Sequence, residues 1–217
     1  MPYRKVPLVK SGIYHICTKS IAGFKIFNSD GDYERMRLVM FFYSIEKPPC
    51  KFSLFTADPK NDLDSLAIQA KLVRLLAYCF MPTHIHLLVE QIADGGISRY
   101  ANLILKSYSK YFNIKHRRKG PLWEGRFKSV LVETDDQFSH LTRYIHLNPV
   151  SSSLVDKPQD WKFSSYAEYI NEESAGKKKI CDFSKYHTMD TKTYKNFVDD
   201  RIDYQRKLEY IKHLVID

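Results

Sequence analysis

Hydrophobic positions along this chain recur with two different periods, and the switches between them divide it into short strands and longer helices. Ile13–Thr18 (IYHICT) follows Gly12 and reads as a strand. Tyr33–Ser44 sets Met36, Val39, Met40 and Tyr43 at helical spacing, and Pro48-Pro49 ends that helix. Lys51–Thr56 is compatible with a second strand. Leu72–Phe80 (LVRLLAYCF) and His84–Glu90 (HIHLLVE) are strands separated only by Met81-Pro82-Thr83, which predicts an antiparallel hairpin. Gly95-Gly96 breaks the chain, and Ile97–His116 then carries a helical stripe of Ile97, Tyr100, Ala101, Ile104, Tyr108, Tyr111 and Phe112. After Gly120-Pro121, Arg126–Glu133 (RFKSVLVE) reads as a strand. Thr134-Asp135-Asp136-Gln137 matches a capping box and opens a helix with the core stripe Phe138, Leu141 and Ile145; Asn148-Pro149 closes it. Helices and strands mix without strict alternation. The pattern predicts an α+β domain, a mainly antiparallel sheet with helices packed on it. Composition shifts near Asn171, so the expected division is a domain over residues 1–170 and a helical extension over 171–217. In that extension Lys177-Lys178-Lys179 reads as solvated and Lys192–Leu214 as a polar helix.

Charge narrows the partner. The 217 residues suffice for one sizeable core, and they carry a net charge of +9. An excess of this size suits a polyanion, because phosphate contacts release counterions. The cysteines Cys17, Cys50, Cys79 and Cys181 form no C-x-x-C pair, which argues against a zinc ribbon and a disulfide framework. Cys17 and Cys79 lie in apolar runs and read as buried thiols. Met1–Lys10 is charged and holds two prolines, unlike a signal peptide, and no apolar run approaches the ~20 residues that span a bilayer. The expectation is a protein without a membrane partner, in the cytoplasm and associated with the nucleoid.

Three features could carry chemistry. In His84-Ile85-His86 the alternation of a strand puts His84, His86, Leu88 and Glu90 on one face and Ile85, Leu87 and Val89 on the other. Two imidazoles on one face can ligate one metal ion, or they can simply be half-exposed sheet residues. In the helix after Thr134, Tyr144 and Asn148 are four residues apart and flank the core stripe. A tyrosine there can reach a site on the sheet, with the amide oxygen of Asn148 beside it; the plainer reading is a boundary tyrosine and a helix-ending Asn-Pro. Of the 15 tyrosines, Tyr108 and Tyr111 fall on an apolar stripe and read as core. The third feature is the basic, aromatic stretch Lys106–Lys128, with Lys110, Lys115, Arg117, Arg118, Lys119, Arg126 and Lys128 around Tyr111, Phe112, Trp123 and Phe127. Cations follow phosphates and aromatic faces stack on unpaired bases, which is the composition of a single-strand groove. Trp123 can either stack on a base or pack in the core.

Four strings in this order resemble one family: MPTHIHLLVE (81–90), SYSKYFNIKHRRKGPLWEGRFKSVLVE (107–133), LTRYIHLNPV (141–150) and DWKFSSYAEYI (160–170). They look like the REP-associated tyrosine transposases, relatives of the single-tyrosine insertion-sequence transposases of the HUH class. The resemblance covers residues 1–170 and is densest from Met81 to Ile170. It implies a ferredoxin-like core with the His-x-His motif on a central strand. It also implies His84 and His86 as ligands of a divalent metal, Mg or Mn, and Tyr144 as nucleophile. Asn148 falls at the position of a further polar ligand. Arg143, beside the tyrosine, joins Lys110, Lys115, Arg117, Arg118, Lys119, Trp123, Arg126 and Lys128 as a candidate DNA contact.

The implied reaction is nicking and rejoining of single-stranded DNA through a 5′-phosphotyrosine link, at short palindromic hairpin repeats. His140, His146 or a water on the metal could take the phenol proton. Two rival readings stay open: a nucleic-acid-binding regulator that has lost transposition, and a metal-dependent nuclease in which water attacks. Monomer and homodimer are both compatible with the sequence.

Overall fold

The computed structural model describes residues 7–171 and 179–207. In chain order the elements are β1 (Ile13–Lys19), α1 (Asp30–Tyr43), the single turn α2 (Phe52–Phe55), β2 (Val73–Met81) and β3 (His84–Gln91). There follow α3 (Gly96–Lys115), β4 (Lys128–Val132), α4 (Asp135–Ser151), the single turn α5 (Tyr166–Tyr169) and α6 (Thr191–Asp199). The four strands form one antiparallel sheet in the order β2-β3-β1-β4. With α1 between β1 and β2 and α3 between β3 and β4, this is the ferredoxin-like arrangement, and β3 is a central strand. The hairpin turn is Pro82-Thr83 alone, since Met81 already pairs with His84.

Alternation along the strands builds two cores. Tyr14 and Ile16 of β1, with Ile85, Leu87 and Val89 of β3, face α1 and α3 and join Met36, Val39, Phe42, Ile104 and Tyr108. On the opposite face Ala77, Cys79, Met81 and Leu88 meet Phe138, Ile145 and Leu147 of α4. The sheet is covered on both sides, and among the described residues the β1–β4 end of the α4 face stays partly open: Val130 is 62% exposed and Tyr144 37%. Gly96 opens α3 where a Cβ would lie 2.3 Å from the carbonyl oxygen of Leu72, so this close packing of helix on strand requires glycine.

Helix α4 begins as expected, with the Thr134 hydroxyl accepting from Gln137 N at 3.1 Å. The Gln137 side chain returns to Glu133 N, one residue before the cap. Asn148-Pro149 does not close this helix, which runs to Ser151. Proline removes its own N–H and crowds the carbonyl of Ile145, but it leaves the amides after it free to bond. The next turn is secured by Ser152 N donating to Asn148 O at 3.0 Å and by the Ser151 hydroxyl donating to Leu147 O at 3.0 Å, with Val150 buried. Lys51–Thr56 is likewise not a strand. Phe52 and Phe55, three apart, are both buried against Phe42, which one helical turn allows and a strand, with opposite-facing positions, does not.

The extension is not solvated throughout. Tyr194 and Val198 of α6 are fully buried in the α4 core. Lys179 is exposed, whereas Lys177, Lys178 and the end of the expected 192–214 helix lie outside the described residues. Cys79 is buried as expected, while Cys17 is only half-buried.

Candidate active site

The site is assembled by strand register. His84 stands between Lys19 of β1 and Met81 of β2, and His86 between Cys17 and Cys79. Directly opposite residues in an antiparallel pair share a face, so Lys19, Cys17 and both histidines all look toward α4. Lys128 of β4 pairs with Cys17 and brings a second exposed cation to the same face. The two imidazoles lie 5.0 Å apart between ring centroids, nearly perpendicular. Thr83 Oγ1 is 3.1 Å from His84 Nδ1. Helix α4 then lays the Tyr144 ring edge-on to His86, with 5.7 Å between centroids and planes at 90°. Tyr144 stays exposed because it sits on the flank of α4 while Ile145 fills the core. Asn148, one turn further along, donates its Nδ2 to Tyr144 O at 2.9 Å, which leaves Oδ1 as the amide oxygen that this bond does not use.

A residue the sequence did not flag completes the cluster. His15 of β1 places Nε2 2.9 Å from His86 Nδ1, and its ring lies 6.3 Å from that of Tyr144, edge-on. Its signal was the polar alternation His15, Cys17, Lys19 within an otherwise apolar strand, but only the β1–β3 register shows that this face joins the His-x-His face. Burial pulls His15 down to about 4. It pulls His86 well below its ordinary value, with the neighbouring His15, His84 and Lys19 charges adding to the effect. Both rings are therefore neutral near pH 7, the form that ligates metals. The donor set fits a divalent ion: two same-facing imidazoles, with His86 Nε2 outside the bond to His15. Among the described residues no cluster of three or more His, Cys, Asp or Glu forms a metal site. The remaining positions would fall to an amide oxygen, water or a substrate phosphate.

The histidines expected as proton acceptors have other partners. His146 is fully buried between Tyr194 OH at 2.7 Å and Ser165 Oγ at 2.8 Å, and burial lowers it to about 3. His140 lies 2.6 Å from an Arg143 guanidinium nitrogen and 3.4 Å from Asp136. Glu90 shares the strand face but lies at its far end, paired with Arg74.

The candidate DNA contacts separate into two groups. Lys115 is held by the fully buried Asp32 at 2.6 Å and joins α3 to the start of α1. Trp123 donates Nε1 to Leu105 O at 3.2 Å and, half-buried, packs against the core 6.2 Å from Tyr108. Arg143 is buried, bonds Phe197 O at 3.2 Å and lies 4.0 Å over the Phe197 ring. Arg118 is tied to Asn113 Oδ1 and Pro121 O. Lys110, Arg117, Lys119, Arg126 and Lys128 are exposed. Lys110 lies on α3, across the sheet from α4. Arg117 and Lys119 follow the end of α3, and further along the same loop Leu122 O accepts from Ile21 N and Glu124 N donates to Lys19 O, both at 3.0 Å, which brings its later part to the end of β1.

Residues 53–148 match the family model described as Transposase IS200 like, a span that contains His84, His86, Tyr144 and Asn148. The chain is 31% identical over 109 residues to a protein of Haemophilus influenzae provisionally named a REP-associated tyrosine transposase, covering 45% of this chain and 61% of that one. It is 26% identical over 92 residues to the REP-associated tyrosine transposase of Escherichia coli K12, covering 42% and 52%. The chain thus spans roughly half to three fifths of the length of these relatives. A solved structure of a REP-associated tyrosine transposase bound to a REP hairpin shares the fold, with a TM-score of 0.53 at 17% identity over 87% of this chain and 99% of that one. Among the described residues no helix is long and apolar enough to cross a membrane.

Proposed function

We propose, from this kinship with the REP-associated tyrosine transposases, that the chain cuts and rejoins single-stranded DNA with Tyr144 as nucleophile. The observation that carries the reading is the seating of an exposed Tyr144 edge-on to His86, on the one sheet face that also presents His84, Lys19 and Lys128. Lys19 and Lys128 hold a phosphate-bearing strand on that face by charge, and the loop with Arg117 and Lys119 extends the basic track. The Tyr144 phenol, once it has given up its proton, attacks the phosphorus. A P–O(Tyr) bond forms, the bond to the 3′ oxygen breaks, and the departing strand takes a proton as its 3′-hydroxyl. The phosphodiester becomes a 5′-phosphotyrosine, so a 3′-hydroxyl can reverse the step without ATP.

His84 and His86, with the Oδ1 of Asn148 nearby on α4, would hold a divalent ion, Mg or Mn. When bound, that ion offsets charge on the phosphate and orients it for in-line attack. His15 and His86 are the imidazoles nearest the Tyr144 ring, whereas His140 and His146 are bonded elsewhere. A strand carrying a short imperfect hairpin is the substrate that fits, in keeping with the hairpin bound by the structural relative.

The test presents one labelled sequence as a hairpin-bearing single strand, as an unstructured single strand and as a full duplex, with Mg or after chelation. The hairpin strand should be cut fastest, and chelation should abolish cutting. Equal or faster cutting of the duplex would contradict the proposal and favour an ordinary metal-dependent nuclease.

A further inference from the structure

We infer that His15 is a positioning residue for His86: its Nε2 accepts the Nδ1–H of His86, which keeps the Nε2 lone pair of His86 toward the metal position. The inference rests on the metal reading above. It stands on three geometric facts. The N···N separation is 2.9 Å. The two rings are within 8° of parallel at 5.1 Å between centroids, so they meet along a shared edge and the bond fixes the orientation of the His86 ring as well as its proton. The register then explains how they meet: His15 sits opposite Leu88 and Cys17 opposite His86, so the two histidines are diagonal neighbours on adjacent strands and one face.

A neutral imidazole carries one proton. If it sits on His86 Nδ1, then Nε2 can ligate. If it sits on Nε2, the ligating position is blocked and Nδ1 becomes the acceptor. With His15 in the tautomer protonated on Nδ1, its Nε2 is the acceptor that decides between these, as the partners behind metal-bound histidines do elsewhere.

Two measurements on the full chain test this. Ring nitrogen-15 NMR without metal should show the proton of His86 on Nδ1. Free-Mn(II) electron paramagnetic resonance should show binding to the wild type. It should show binding weakened by roughly 10–100-fold in His15→Phe, which keeps a ring beside Tyr144 but offers no acceptor. His15→Gln, whose Oε1 can accept the same proton, should recover most of the affinity. A wild-type His86 protonated on Nε2, or unchanged Mn(II) affinity in His15→Phe, would overturn the inference and leave the metal reading standing. A wild type that binds no Mn(II) would overturn the metal reading, and this inference with it.

Discussion

Acid should loosen this protein through His146, and the size of the effect can be worked out. The ring is fully buried and held between the Tyr194 and Ser165 hydroxyls, and burial lowers it to about 3. An unfolded chain carries this histidine at ~6.5. Above that pH both states hold the ring neutral and its folded contacts count in full. As pH falls below 6.5 the unfolded chain takes up a proton that the folded one refuses, so stability is lost progressively until the folded ring itself titrates near 3. At pH 5 the gap spans about 1.5 pH units, or about 2 kcal/mol, a large part of a net stability of roughly 5–15 kcal/mol.

The perturbation is His146→Gln, which does not titrate and can still reach both hydroxyls. Urea melts of wild type and variant at pH 7.5 and pH 5 form a double difference. Of the other histidines lowered by burial, His15 and His86 act equally in both proteins and cancel, while His187, whose charge helps lower His146, is coupled to it and enters the double difference with it. The wild type should lose about 2 kcal/mol more than the variant between the two pH values, near 1 M in urea midpoint for a slope of roughly 2 kcal/mol/M. An identical acid response in the two proteins would refute the reasoning.

Lys115→Met should cost roughly 1–3 kcal/mol in a urea melt, because the fully buried Asp32 keeps its backbone donors at Asn28 and Ser29 but loses its cation. DNA affinity should hardly change, and a large loss of affinity at unchanged stability would return Lys115 to the DNA track. The double substitution Arg117→Ala with Lys119→Ala should weaken binding of a hairpin strand and reduce the slope of log affinity against log salt by about 1.4, two phosphate contacts at ~0.7 each. An unchanged slope would place the DNA elsewhere.

Much of this architecture could be read from the chain because local patterning and tertiary packing agree. The stripe from Ile97 to Phe112 and the alternation Ile85, Leu87, Val89 each specify one element and one buried face. Where the pattern is short, packing decided: Phe52 and Phe55 chose a helical turn, and α4 ran through Pro149 because Ser151 and Val150 secure the next turn. Leu76 is an extra residue in β2 that makes a bulge, and the two cores bury both sides of that strand, so the alternation a reader would use is absent. Motif and spacing singled out His84, His86 and Tyr144 as candidates, and the fold brings these three side chains together. His15 and Lys19 were not, because their relation to His86 and His84 is a property of strand register between residues some 70 positions apart. The basic run also divides in the structure. A charge in sequence does not disclose whether it stands free in solvent or, like Lys115 and Arg143, is held by a neighbouring group of the chain.

The claim at the centre of this account is that Tyr144 becomes covalently attached to DNA. The direct measurement incubates wild type and Tyr144→Phe with a hairpin-bearing strand labelled at its 3′ end, denatures the mixture, and maps any labelled protein by peptide mass spectrometry. Tyr144 is 37% exposed, so losing its hydroxyl should leave the fold and hairpin binding intact. The wild type should carry the downstream fragment on the peptide containing Tyr144, and the variant should bind the hairpin yet carry no fragment at all. An adduct that persists in Tyr144→Phe, or wild-type cutting with no adduct on any peptide, would contradict the account.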